Sequence, residues 1–368
     1  MAISSPSTTI VSDSLGIGLY DTCVLPLKPP VAPMLSKSAS GIPRGDGWIY
    51  EPKWDGFRAI VFVDEKKGVP DVFLCSRNGQ PLHRYFPELV EAITKAVPTG
   101  TVIDGEIIVA TRGGLDFDAL SQRIHPAESR VKRLAEETPS ALVAFDALVV
   151  GGKDIRKEPL PVRRKALQKL LRKNPSVRLT PQTTDADEAE SWFEIYEGAG
   201  CDGVVAKRAE QAYEPGKRVM VKVKHLRTAD CVVGGYRDYA AGPGVGSLLL
   251  GLYDAEGVLH FVGHTSSFNA TERKEVLAKL KPLEGKGGSY GGGRVPGGPS
   301  RWTGAKDLSW TSIEPSLVCE VNFEKLQGVR FRHAARFLRW RPDKDPRDCD
   351  FAQLEPPKDF SLDDILTR

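Results

Sequence analysis

Glu51-Pro-Lys-Trp-Asp-Gly-Phe-Arg58 is the stretch on which the reading of this chain turns. Trp48-Ile49-Tyr50 precedes it and Phe57-Arg-Ala-Ile-Val-Phe-Val63 runs through its end. Both are rich in β-branched and aromatic residues, which predicts two strands. Asp55-Gly56 predicts a tight turn between them, with Lys53 ending one strand and Arg58 opening the return strand. A lysine on a rigid strand beside a turn can present its amine to a pocket. Alone the pattern is weak. At ordinary residue frequencies about one chain in six of this length carries K-x-D-G, and about one in a hundred carries it with the arginine. A hairpin with a surface lysine fits it equally well.

Outward from this stretch the pattern stays strand-rich. Val72–Cys75 breaks at Asn78-Gly79, Val102-Ile103 and Ile107–Val109 bracket Asp104-Gly105-Glu106, and Ala141–Val150 is a long apolar strand holding one acid. Helices are predicted between them. Pro87–Val97 starts with proline and acid. Pro161–Lys173 has Val162, Ala166, Leu167, Leu170 and Leu171 on one face and six cations on the other. Asp185–Glu197 carries acids in its first turn. Character shifts near residue 228 to short strands separated by glycine, with one helix over Ala270–Leu280, which predicts a small closed barrel. Gly285–Gly298 reads as a mobile glycine-rich loop. The expected division is a flexible tail over 1–22, a first domain over 23–227, a barrel over 228–350 and a polar tail over 351–368.

Composition narrows the classes. The chain has 368 residues, 40% apolar and 27% charged, with a net charge of +3. At about 150 residues per domain this suits two domains with real cores and excludes wholesale disorder. The six cysteines are far apart and form no C-x-x-C, so neither a disulfide scaffold nor a structural zinc site is written here. No export signal and no membrane span is visible, which leads to the expectation of a cytoplasmic protein. His260 and His264 have zinc-like spacing, but on a strand with no third ligand nearby they are not read as a metal site.

Polar residues stand where core strands should have none. Asp104 and Glu106 lie between apolar runs, Asp146 follows Phe145, and Asp202-Gly-Val-Val-Ala-Lys207 is a buried-looking strand with a charge at each end. Val221-Lys-Val-Lys224 alternates, so Lys222 and Lys224 share one face. Two lysines on one face repel unless they share an anion, and phosphate is the natural one.

Taken in order, these segments resemble the nucleotidyltransferase superfamily of ATP-dependent DNA ligases, RNA ligases and mRNA capping enzymes. Lys53-Trp-Asp-Gly56 with Arg58 is similar to its first motif, whose lysine becomes attached to AMP. Ser76-Arg77-Asn78-Gly79 is similar to the S-R-x-G segment, Asp104–Glu106 to D-G-E, and Phe145-Asp146 to the aromatic segment that stacks on the base. Asp202–Lys207 is similar to E-G-x-V-x-K, with Asp202 where the family usually has Glu, and Val221–Lys224 to K-x-K. Arg336-Phe-Leu-Arg-Trp-Arg341-Pro-Asp343-Lys344 resembles the closing R-x-D-K motif. Together they span residues 51–344. The two-domain arrangement most resembles the short bacterial ligases, actinobacterial ligase C in particular.

The resemblance implies an α+β fold: a nucleotidyltransferase (adenylation) domain of antiparallel sheets with flanking helices, followed by an OB-fold barrel. It implies ATP and Mg2+ or Mn2+ as cofactors and nicked or gapped double-stranded DNA as substrate, with repair polymerases as partners, for a monomer. Lys53 would be the nucleophile. Its amine, ordinarily protonated at neutral pH, is expected to lose proton affinity among Arg58, Lys207, Lys222, Lys224 and the metal. Phe145 would stack on adenine and Glu51 read its edge. Arg58 and Glu106 would hold the ribose, and Arg77 the ribose or the 5′-phosphate of the nick. Lys222 and Lys224 would grip the α-phosphate, and Asp202 with Asp104 or Glu106 would ligate the metal. Arg341, Asp343 and Lys344 would orient pyrophosphate once the barrel swings over. The basic face of 161–173 and the cluster Arg330, Arg332, Arg336 and Arg339 are candidates for DNA phosphates. An RNA ligase, a GTP-using capping enzyme and a non-catalytic OB-type nucleic-acid binder are the alternatives.

Overall fold

The structure, a computed structural model, describes residues 25–111, 114–285, 290–291, 296, 309–354 and 360–366. The expected tail over 1–22 and most of the Gly285–Gly298 loop lie outside them.

Trp48–Pro52 and Phe57–Lys66 are strands, but they belong to different sheets. The first joins a four-stranded sheet in the order Leu35–Ala39, Arg218–Lys224, Gly203–Arg208, Trp48–Pro52. The second lies between Val69–Ser76 and Thr101–Thr111 in the larger sheet, which continues to Ser140–Val150. The expected hairpin at Asp55-Gly56 is therefore a crossover between sheets. Gly56 allows it: a Cβ there would drive into the backbone carbonyl of Ile107. Residues 53–56 thus sit where the two sheets face one another.

Ala59–Val63 is buried on both faces, which is why it reads as a continuous apolar run. Ala59, Val61 and Val63 enter a core with Leu89 and Ile93 of helix Pro87–Ala96 and Leu167 of helix Leu160–Leu170. Ile60 and Phe62 enter a second core with Leu25, Leu27, Met34, Tyr213 and Met220. The helix Ala186–Ile195, capped by the Asp185 carboxylate on the Asp187 N–H, covers the smaller sheet with Ala189 and Trp192.

The helix expected over 161–173 runs Leu160–Leu170, and its basic face is not wholly solvated. Arg163 is fully buried and forks onto Asp146, Nε to Oδ1 at 2.8 Å and Nη2 to Oδ2 at 2.9 Å. Arg164 is buried and donates to the Thr180 carbonyl. The lone acid of the Ser140–Val150 strand is thus a structural counter-charge, and only Lys165, Lys169, Arg172 and Lys173 remain exposed.

The second domain is a five-stranded antiparallel sheet ordered Leu259–Thr265, Val245–Tyr253, Arg227–Asp238, Thr311–Phe323, Arg336–Trp340. Its two ends meet, with the Ala335 N–H donating to the His264 carbonyl at 2.9 Å, so the sheet closes into a barrel. Helix Ala270–Leu280 is set by a capping box between Asn269 and Glu272.

The expected polar tail over 351–368 behaves otherwise. Phe360, Leu362, Ile365 and Leu366 pack against the core holding Trp192 and Tyr196, and Ile365 is fully buried. The chain's end therefore returns from the barrel to the first domain.

Candidate active site

A cavity of about 850 Å³ opens at the junction of the two sheets. Register explains which side chains enter it. In the smaller sheet Val205 lies opposite Glu51 on one side and Lys222 on the other. The next row is held by backbone: the Lys53 N–H donates to the Gly203 carbonyl and the Asp202 N–H to the Lys53 carbonyl, both at 2.8 Å, with Gly203 opposite Lys224. Gly203 has φ +134°, and a Cβ there would meet the Val223 carbonyl, so only glycine permits this close pairing. In the larger sheet Arg58 is paired with Glu106. The ladder there skips Phe145, because Asp104 faces Asp146 while Gly105 faces Ala144. That bulge re-aims Phe145 into the cavity.

Glu51, Lys53, Arg58, Arg77, Glu106, Phe145, Asp202, Lys207, Lys222 and Lys224 all line the cavity. Four expected residues do not. Asp104 is fully buried behind the wall, with its oxygens on Arg58 and Tyr213 at 2.5–2.6 Å, so it has no face left for a metal. Arg341, Asp343 and Lys344 stand outside on the barrel. There Arg341 pairs with Asp230 at 3.0 Å and with Asp343 at 2.8 Å.

The expected crowd of cations is cancelled by anions. Arg58 forks onto Asp104, Lys207 meets Glu51 at 2.7 Å, and Lys224 meets Glu324 at 2.5 Å. Lys53 Nζ lies 2.7 Å from Asp202 Oδ2. Burial works against the Lys53 ammonium, but the charge and hydrogen bond of Asp202 outweigh it and raise its proton affinity above that of an ordinary lysine. This reverses the expectation for Lys53 in the arrangement described. The depressed amine is instead Lys222, lowered by burial and by Lys224 and Lys53. Asp202 is held at about 2, burial being overcome by Lys53, then Lys325 and Lys224. Glu106 is pushed up to about 7 by burial, against the pull of Arg58 and Lys53.

Two cations stand over the Phe145 ring, Arg58 at 4.4 Å and Lys207 at 4.7 Å from its centre. The ring also lines the cavity, and an aromatic wall suits a planar base. Asp202 and Glu106 offer hard carboxylate oxygens to the same space, the donor type that Mg2+ and Mn2+ take. Among the described residues no three His, Cys, Asp or Glu side chains form a metal cage.

Further residues support the site. Gln182 donates to Glu51 at 2.5 Å, and Trp54 Nε1 donates to Thr180 Oγ1 at 2.8 Å, which fixes the motif from behind. Two barrel residues reach across. Lys325 Nζ lies 2.7 Å from Asp55 and 3.7 Å from Asp202, while Arg332 pairs with Asp55 at 2.6 Å and lies 3.4 Å over the Phe117 ring. Loop cations such as these have no hydrophobic periodicity to betray them. Of the expected basic cluster, Arg332 thus faces the site, Arg339 pairs with Glu320 and Arg336 is exposed.

The family model described as ATP dependent DNA ligase domain matches residues 33–224, and that described as ATP dependent DNA ligase C terminal region matches residues 241–344. The chain is 48% identical over 352 residues to DNA ligase C1 of Mycolicibacterium smegmatis, covering 93% of this chain and 99% of the relative. It is 49% identical over 358 residues to DNA ligase C of Mycobacterium tuberculosis, covering 93% and 98%. A solved structure from a study of Lig E DNA ligases superposes with a TM-score of 0.52 at 21% identity, covering 84% of this chain and all of that one, a likeness of fold.

Proposed function

Since this chain belongs to the ATP-dependent DNA ligases, we propose that it seals nicks through a phosphoramidate on Lys53. That it is a DNA ligase decides against the capping and non-catalytic alternatives. What supports Lys53 as the nucleophile is its place: the amine stands in the cavity at the seam of the two sheets, in register with the Lys222 and Lys224 face.

The first step forms a bond from Lys53 Nζ to the α-phosphorus of ATP and breaks the bond to the pyrophosphate oxygen. The ammonium must first part from Asp202, 2.7 Å away, and give its proton to solvent before Nζ can attack. Entry of a triphosphate between Lys222 and Lys224 adds negative charge where those lysines now repel, so these cations hold the phosphate as charge develops. Phe145 stacks on adenine, Glu51 reads its edge while fixed by Lys207 and Gln182, and Arg58 and Glu106 meet the ribose. Asp202 would hold a divalent ion such as Mg2+ or Mn2+, which when bound screens the phosphate charge. In the second step AMP passes to the 5′-phosphate of the DNA. In the third the 3′-hydroxyl attacks that phosphorus and AMP leaves. Arg341, Asp343 and Lys344 would reach the pyrophosphate only after the barrel turns about the link near residue 225. Nicked or gapped duplex in repair is the substrate this reading assigns, for a monomeric cytoplasmic enzyme that repair polymerases would supply with ends. Among the described residues no helix is long and apolar enough to cross a membrane.

The test is Lys53→Ala on two nicked duplexes. With an ordinary 5′-phosphate and ATP the variant should not seal. With a 5′ end already carrying AMP it should retain measurable sealing. A variant that sealed from ATP as the parent does would refute the covalent route.

A further inference from the structure

Arg58 has two carboxylates within its reach, and the choice between them shapes the nucleotide site. Glu106 lies directly opposite it on the neighbouring strand, while Asp104 is two residues further along that strand. The guanidinium takes Asp104, with Nε 2.5 Å from Oδ1 and Nη2 2.6 Å from Oδ2. In that pose it lies 4.4 Å over the Phe145 ring. Asp104 is fully buried, so as a carboxylate it needs every donor it can find. Its one further partner among the hydrogen bonds described is the hydroxyl of Tyr213, which donates to Oδ2 at 2.5 Å.

Tyr213 is itself held from three sides. Its hydroxyl oxygen accepts the Met34 N–H at 3.2 Å, its own N–H donates to the Arg156 carbonyl at 2.7 Å, and its ring is buried in the core shared with Met34 and Met220. It rises from the connection between strands Gly203–Arg208 and Arg218–Lys224, which carry Lys207, Lys222 and Lys224. A relay therefore runs from the backbone of Met34 through Tyr213 and Asp104 to Arg58, joining the smaller sheet's loop to the larger sheet's cation.

We propose that Tyr213 is a positioning residue for nucleotide binding: its hydroxyl fixes Asp104 and thereby holds Arg58 over Phe145 rather than on Glu106. The inference rests on the reading above that Arg58 and Phe145 contact the nucleotide. Without the hydroxyl Asp104 loses the contact that fixes its orientation, the fork moves with it, and Arg58 is no longer held in one pose over Phe145. The nucleotide then meets a disordered cation, and binding suffers more than the phosphoryl step.

Tyr213→Phe keeps the ring in its packed place and removes only the hydroxyl. Self-adenylylation of this variant should show a KM for ATP raised about five- to tenfold, with the rate at saturating ATP within about twofold of the parent. The effect should vanish in an Asp104→Asn background, since both changes break the same relay. The thermal midpoint is measured alongside. A lowered midpoint with KM unchanged would make Tyr213 merely structural and overturn the proposal, as would additive effects of the two substitutions. Arg58→Ala separates the two levels. If it leaves the KM for ATP unchanged, the assignment of Arg58 to the nucleotide fails. If it raises KM while Tyr213→Phe does not, the relay alone fails.

Discussion

Arg332, carried by the barrel, places Nη1 2.6 Å from Oδ1 and 2.7 Å from Oδ2 of Asp55, two residues beyond Lys53. Asp55 is only 4% exposed, and Lys325 completes its coordination at 2.7 Å. The barrel is thus pinned to the nucleophile's own segment by two cations on one buried carboxylate, while Arg341, Asp343 and Lys344 stand away from the cavity.

A pinned barrel matters when DNA must be gripped by both domains. Lys325→Ala with Arg332→Ala should leave Lys53 adenylylation within about threefold of the parent. Sealing of a nick that already carries 5′-AMP should fall about tenfold or more, because the two domains no longer hold one arrangement around the duplex. Single-turnover rates of the two steps check this.

Glu106 gives a pH signature with a definite sign. Its carboxyl is raised from an ordinary 4.5 to about 7 in the folded protein, because burial disfavours the ionised form. A raised acid costs nothing at low pH, begins to cost as pH rises past the unfolded value, and costs fully above about 7. Glu106→Gln should therefore be more stable than the parent at pH 8 and lose that advantage by pH 4.5. Denaturant midpoints across this range measure it.

Arg163 separates structural from surface cations on one helix. Its fork onto Asp146 is fully buried, so Arg163→Ala should destabilise the protein by about 3–5 kcal/mol. Lys169→Ala on the exposed face should stay within about 0.5 kcal/mol. Urea unfolding of the pair gives the comparison.

The C-terminal helix Leu362–Leu366 tests whether the chain's end belongs to the first domain. Ile365 is fully buried against the core that holds Trp192 and Tyr196. Ile365→Ala should cost about 2–4 kcal/mol, and the loss should appear as altered tryptophan fluorescence on unfolding.

Much of the site was legible because charge in an apolar strand is conspicuous. Lys53, Glu106, Asp202, Lys207, Lys222 and Lys224 stand out against β-branched neighbours, and alternation places Lys222 and Lys224 on one face. Pairing was not legible. Nothing in a strand pattern says that Asp104 takes Arg58, that Asp146 takes Arg163, or that Asp202 takes Lys53, since these partners lie 17 to 149 residues apart. Hence Lys53 is raised rather than depressed, although the cations do line one cavity. A crossover and a hairpin at Gly56 share the same local residues. Only the approach of Ile107, a contact distant in sequence, distinguishes them. Ile365 is hidden in the sequence by its neighbours Asp363 and Asp364, which make the segment look polar.

Lys53 as the covalent carrier is tested most directly by incubating the protein with ATP and Mg2+ or Mn2+, without DNA, then digesting it and weighing the peptides. The peptide holding residue 53 should gain the mass of one AMP, acid-labile as a nitrogen–phosphorus bond is, and Lys53→Ala should gain none. An adduct on another residue, or its persistence in Lys53→Ala, would contradict the account.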